Sequence, residues 1–362
     1  MTAPPWILLN PGPVNLSDGV RTALLQPDLC HRESEFQELL RDVRRGLLEV
    51  FGVAGTFTAG LVAGSGTAAV EAMIHAALPG YDGVLLSIEN GVYGERMTSM
   101  ATRAGIPVEK LHFDWTEAID PQRIDDQLAR NPDIRAVSVV HHETTTGRLN
   151  PIENIGAVVR KHGRTFVVDS VSGLAAEPID LAAAGIDLVA CTANKAIHGV
   201  PGVSFVLVSH EHLARLQGHT ARSLYLDLAH TIAVNEAGSV PFTMPVQVLY
   251  ALRAALQELQ REGVAQRAQR FASRAGAVRQ HLAQLGIRRL LPDDVLSNSL
   301  TAFHLPSGVT YQALHDQLKE LGFIIYAGQG HLAGETFRIA HMGEYVPETT
   351  DRLLDALTSA LG

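Results

Sequence analysis

The sequence predicts an α/β protein in which a large domain on a mostly parallel central sheet is followed by a small C-terminal α+β domain. Three observations carry that prediction. Short apolar, β-branched runs recur between Val84 and Val208, with helical patterns between them. That alternation is what βαβ crossovers onto a sheet buried on both faces produce. Near Pro245 the character changes to a long helical stretch, and a chain of 362 residues exceeds a single ordinary core.

In chain order, an extended segment (Ile7–Asn15, with Pro11 and Pro13) precedes a helix over Phe36–Phe51, where apolar residues recur at helical spacing. The spacing predicts a second helix over Thr67–Ala77. Strands are expected at Val84–Ile88, Ala136–Val140, Thr165–Val168, Asp187–Cys191 and Val203–Val208, with helices at Gly91–Ala104 and Ile152–His162. The Ala-, Leu-, Gln- and Arg-rich stretch Val246–Leu285 reads as helix, broken near Glu262-Gly263. Beyond it come a strand at Ser299–Phe303, a helix at Tyr311–Leu321, strands at Phe323–Tyr326 and Phe337–Ala340, and a last helix at Glu348–Leu361. The expected division is 15–245 for the large domain and 246–362 for the small one, with segment 1–14 associated with the latter.

Composition excludes several function classes. Apolar residues make up 46% and charged residues 19% of the chain, a balance that buries a sizeable core. The net charge of −9, with no run of Lys or Arg, offers no stripe for a nucleic-acid backbone. Cys30 and Cys191 lack Cys-x-x-Cys spacing, so a reducing cytoplasm is the expected compartment. No secretory signal pattern opens the chain, and no apolar run approaches the roughly 20 residues that cross a bilayer. None of the sixteen histidines falls in a His-Glu-x-x-His arrangement, and no metal site is expected.

The chemistry begins at Gly64-Ser65-Gly66-Thr67-Ala68-Ala69, a glycine-rich turn after an apolar stretch and before a helix. Exposed amides and the helix dipole suit such a turn to an anion, with the Ser65 and Thr67 hydroxyls as further donors. A plain Ser/Thr-capped connection explains the same residues. So does a dinucleotide fingerprint, Gly64-x-Gly66-x-x-Ala69, with Glu89 placed 23 residues after Gly66 as its ribose-binding acid. That reading predicts an NAD(P)-dependent oxidoreductase, but leaves two downstream residues without a task. One is Asp169, at the end of a strand. The other is Lys195, after the next strand, inside Cys191-Thr192-Ala193-Asn194-Lys195 and ahead of Gly199-Val200-Pro201-Gly202. A strand-end lysine, a strand-end carboxylate and an upstream phosphate-type turn together meet the demands of pyridoxal 5'-phosphate. The amine bonds the aldehyde, the carboxylate pairs with the ring nitrogen, and the phosphate lies on the helix N-terminus.

On these residues, with Asn10-Pro11-Gly12-Pro13, Asn90-Gly91-x-Tyr93-Gly94, His142-Glu143-Thr144-Thr145-Thr146-Gly147 and Phe337-Arg338-Ile339, the whole chain resembles the class V aminotransferases of the fold-type I pyridoxal-phosphate superfamily. Within them it looks most like the 2-aminoethylphosphonate–pyruvate transaminase group. The resemblance implies an amino donor and a 2-oxo acid as substrates. It implies that Ser65, Gly66 and Thr67 hold the phosphate, Tyr93 stacks on the ring, Thr145 bonds near it, Asp169 pairs with its nitrogen and Lys195 carries it. It implies a homodimer with shared active sites, where Thr243 reaches the neighbouring subunit's phosphate, and a substrate site of Arg338, Arg32, Arg222 and Gly12. One stretch, Cys30-His31-Arg32-Glu33-Ser34-Glu35-Phe36, looks instead like that of alanine– or serine–glyoxylate transaminases, which remain the alternative. A cysteine desulfurase would need a later cysteine, and none follows Cys191.

Overall fold

The computed structural model describes residues 6–362, so part of the N-terminal segment 1–14 lies outside the described residues. Its frame is a seven-stranded sheet with spatial order Phe57–Ala63, Val203–Ser209, Leu188–Thr192, Thr165–Asp169, Ile134–Val140, Val84–Glu89 and Val108–His112. The pairings from Leu188–Thr192 to Val108–His112 are parallel. Only Val203–Ser209 is reversed, antiparallel to both its neighbours. The Gly199–Gly202 loop explains the reversal: without a crossover helix, the returning strand can pair only antiparallel.

Alternate strand residues feed two cores, as the strand period of two requires. Leu86, Ile88, Val137, Phe166, Val189 and Phe205 belong to one face. Leu85, Ala136, Val167, Leu188, Ala190 and Val206 belong to the other. The helix Ser34–Val50 covers the first face through Phe36, Leu39, Leu40, Val43 and Leu47. The helix Gly66–Ala76 covers the second through Ala69, Val70, Met73 and Ile74.

The break expected near Glu262-Gly263 separates helices Val246–Glu262 and Val264–Gln284. The boundary expected at residue 245 falls before a helix whose Leu249, Leu252, Leu256 and Leu259 lie in the first sheet core. Val278 and Leu282, in the second of these two helices, reach the C-terminal core. That core packs Phe303 on Phe337, ring centroids 5.4 Å apart, above a small antiparallel sheet of Leu300–His304, Thr336–Ala340 and Tyr326–Ala327. The N-terminal strand Ile7–Leu8 pairs with Phe323–Ile324, and Leu9 enters the same core.

Two elements have weak sequence signals for physical reasons. Val108–His112 is an edge strand of mixed polarity with only Leu111 buried. Pro121–Arg130 buries just Ile124 and Leu128, and starts on Asp120, whose side chain accepts the Gln122 amide. Among the described residues no helix is long and apolar enough to cross a membrane.

Candidate active site

Because all but one of the seven strands run the same way, their carboxyl ends share one edge of the sheet, where ligands gather in open α/β folds. Asp169 closes the strand Thr165–Asp169 at that edge and is buried. Its Oδ1 accepts the Val171 amide at 3.0 Å. Burial pushes its carboxyl up, opposed by that bond and by the charges of Lys195 and Arg96. Lys195 follows the neighbouring strand in a tight loop closed by His198 N–H to the Lys195 carbonyl (2.8 Å) and Gly199 N–H to the Ala193 carbonyl (2.7 Å). Burial pushes its amine below the ordinary lysine range, against the Asp169 carboxylate and with the help of the Arg338 cation. Gly12 packs directly on the lysine stem. A Cβ there would stand 3.0 Å from Lys195 Cγ and 3.2 Å from the Asn194 carbonyl, and its φ of +129° suits glycine alone.

The glycine-rich turn leads into the helix Gly66–Ala76 with Ser65 at the N-cap. The Ser65 hydroxyl makes no capping bond, and Ser65 and Thr67 are exposed, so the donors at this helix start face outward. Gly66 lies where a Cβ would meet Val171 at 2.9 Å and Thr192 at 3.3 Å, which ties the turn to the Asp169 and Lys195 strands.

Tyr93 opens the helix Val92–Arg103, half-buried, with the Arg96 guanidinium 4.6 Å from its ring centroid. The start of this helix is held by Glu143, whose role no local sequence signal marks. Its Oε2 accepts the Tyr93 and Gly94 amides at 3.2 and 3.4 Å. Its Oε1 accepts the Thr145 amide at 3.1 Å and the Thr145 hydroxyl at 2.5 Å. Burial nevertheless pushes its carboxyl up to about 7. The Thr145 hydroxyl oxygen also accepts the Val92 amide at 3.2 Å. Arg338, buried in the small sheet, donates from Nε to the Ala327 carbonyl (2.8 Å) and from Nη1 to the Thr144 carbonyl (2.8 Å) and Gln329 Oε1 (3.0 Å).

The contacts therefore link Gly12, Gly66, Tyr93, Thr145, Asp169, Lys195 and Arg338 around one strand-end edge. Arg32, Arg222 and Thr243 are exposed. Arg222 is engaged elsewhere, donating from Nη1 to the Ala104 carbonyl at 2.6 Å with its guanidinium 3.9 Å from the Tyr81 ring centroid. Glu89, the acid of the dinucleotide reading, is buried with Lys110 and His112 each 3.9 Å away, an arrangement that leaves it committed to the edge strand.

The Aminotransferase class-V family model matches residues 23–342. The chain belongs to the class-V aminotransferases. That membership overturns the dinucleotide-dependent alternative. A 2-aminoethylphosphonate–pyruvate transaminase from Syntrophobacter fumaroxidans is 39% identical, over 99% of this chain and 96% of the relative. One from Vibrio vulnificus is 38% identical, over 98% of each. Among solved structures, an alanine–glyoxylate aminotransferase from Nostoc sp. superposes with a TM-score of 0.92 at 29% identity, covering 100% of this chain and 97% of the other. The fold is that of the fold-type I pyridoxal-phosphate aminotransferases, and the cofactor is pyridoxal phosphate. The residues present fit it. A desolvated lysine, a buried carboxylate with a single amide donor, and an uncapped helix start stand on one edge, matching in kind an aldehyde, a ring N–H and a phosphate.

Proposed function

We propose that this class-V aminotransferase interconverts 2-aminoethylphosphonate plus pyruvate with phosphonoacetaldehyde plus L-alanine, as a cytoplasmic homodimer. Full-length identity of 39% to a transaminase of that name carries the reading of the substrate pair. When bound, pyridoxal phosphate supplies an aldehyde that condenses with amines and a ring that withdraws electrons from the adjacent substrate carbon.

The chain's own residues do the rest. Lys195, whose amine burial pushes below the ordinary lysine range, would take the proton from the carbon bearing the amino group and return one on the reverse half of the cycle. Asp169 would hold a proton on the ring nitrogen by offering a buried carboxylate whose one protein donor is the Val171 amide. Ser65, Gly66 and Thr67 hold the phosphate on the helix N-terminus. Tyr93 lends its ring face, and Thr145 bonds beside the ring. Arg338 binds the carboxylate of pyruvate or alanine. Its Nε and Nη1 are already anchored on carbonyl and amide oxygens, which leaves Nη2 to reach the ligand. Gly12, by its contact with the lysine stem, keeps the substrate side of the pocket close-walled.

The exposed Leu224 and the Tyr225–Phe242 stack (centroids 4.9 Å apart), next to Thr243, support a subunit interface there. In that homodimer Thr243 reaches the neighbouring subunit's phosphate, and Arg32 contributes a cation for the phosphonate, Arg222 being held on Tyr81 and the Ala104 carbonyl.

The test is a donor comparison on the purified holoenzyme. Its visible absorption band should bleach with 2-aminoethylphosphonate and return with pyruvate. The Lys195→Ala protein should lack the band. Bleaching by serine or alanine with recovery by glyoxylate, and none by 2-aminoethylphosphonate, would replace the substrate pair by that of a glyoxylate transaminase.

A further inference from the structure

We propose that Trp115, outside the cofactor and substrate contacts, is a positioning residue for Arg338 and so sets the enzyme's affinity for carboxylate substrates. The inference rests on the reading of Arg338 as the carboxylate-binding group.

Arg338 is aimed by three oxygen acceptors, and two of them, the Ala327 carbonyl and Gln329 Oε1, stand at the end of the strand Tyr326–Ala327 and in the loop that runs from it to Thr336–Ala340. The loop is closed on itself by the Gly328 amide on the Thr336 carbonyl (2.9 Å) and the Thr336 hydroxyl on the Leu332 carbonyl (3.1 Å). It therefore moves as a unit, and whatever holds its tip also holds Gln329.

Trp115 holds the tip. It follows the edge strand of the large sheet and is buried, although its neighbour His331 is exposed. The His331 ring lies over the indole with centroids 4.1 Å apart and planes inclined by 36°. Gly330 brings its backbone against the other end of the same ring: a Cβ there would stand 2.4 Å from Trp115 Cη2, and its φ of +54° is left-handed. On the large-domain side the indole Nε1 donates to Glu95 Oε1 at 3.3 Å, in the helix that begins with Val92 and Tyr93. The indole thus bridges the helix that carries Tyr93 and the loop that aims Arg338, and it fixes the distance between them. Loss of the bridge frees the loop to shift, which displaces a guanidinium whose task depends on direction.

The experiment measures steady-state kinetics of the holoenzyme with pyruvate for Trp115→Ala, Trp115→Phe, His331→Ala and Arg338→Lys. The expected result for Trp115→Ala and His331→Ala is a pyruvate KM raised about tenfold, with kcat within about twofold of the parent. Trp115→Phe, which keeps an aromatic face, should recover most of that affinity. A second readout needs no turnover. In a Trp6→Phe background Trp115 is the single tryptophan, and His331→Ala should increase the quenching of its emission, excited at the red edge of the indole band, by acrylamide. Because His331 is exposed, its variant remains informative if Trp115→Ala does not fold. An unchanged pyruvate KM in His331→Ala alongside a raised one in Arg338→Lys overturns the proposal while sparing the role of Arg338. An unchanged KM in Arg338→Lys overturns both. A fall in kcat at constant KM in Trp115→Ala also overturns it.

Discussion

Replacing Glu143 by glutamine tests whether this buried carboxylate organises the cofactor side of the pocket. Each of its oxygens accepts two donors: Oε1 the amide and hydroxyl of Thr145, Oε2 the amides of Tyr93 and Gly94. A glutamine has one acceptor oxygen and one NH2 group. Its oxygen will keep the Thr145 pair, where the contacts are shorter, and its NH2 will then face two N–H donors. Two accepted bonds are lost and two buried amides are left opposed, which costs about 2 kcal/mol even with partial relaxation. The start of the helix Val92–Arg103, and Tyr93 with it, will move away from Glu143. If that strain falls on the cofactor-bound state, affinity for pyridoxal phosphate drops roughly 30-fold, by the usual 1.4 kcal/mol per decade. The assay is a titration of the apoprotein with pyridoxal phosphate, followed by absorbance, next to denaturant unfolding of both proteins. Glu143→Asp, too short to span both pairs, should weaken the cofactor as well. Equal cofactor affinity and equal unfolding midpoints in the parent and Glu143→Gln proteins would refute the assignment.

Glu177, which receives the Ser297 hydroxyl (2.6 Å), the Asn298 amide (2.6 Å) and Asn298 Nδ2 (2.8 Å), is also pushed up by burial to about 7. A raised folded-state value means the native protein holds the proton more tightly than the unfolded chain. That stability is fully present below the ordinary carboxyl range and is lost as pH rises through about 7. Glu177→Gln should therefore gain on the parent by about 3 kcal/mol between pH 4.5 and 8, read from urea unfolding at several pH values, whereas a pH-independent offset would contradict it. In Gly12→Ala the new methyl would press on Lys195 Cγ from 3.0 Å at an unfavourable φ. Turnover should fall by about a hundredfold through displacement of the amine, and a rate within twofold of the parent would show that the lysine stem has room to yield.

Much of this protein is written locally in its chain. Buried parallel strands read as near-continuous apolar runs, so Val84–Glu89, Ile134–Val140 and Thr165–Asp169 stand out without any knowledge of their neighbours. The break between the two long helices is marked by Gly263, which takes a φ of +85°. Strand ends are also one-dimensional facts, and for that reason Asp169, Lys195 and the turn Gly64–Thr67 could be placed on a common edge from their order alone. Other relations depend on where loops far apart in sequence come to rest. Glu143 reads as one acid among many until the fold buries it against the first amides of the helix Val92–Arg103. Arg222 is sequence-equivalent to any free cation, yet its guanidinium lies on Tyr81 and the Ala104 carbonyl. Gly12 is separated from Lys195 by most of the large domain, and Trp115 from His331 by more, yet both pairs are in contact. Secondary structure follows from interactions within a few residues, which a sequence displays. The aim of a side chain across the pocket follows from packing between distant segments, and that only the tertiary structure decides.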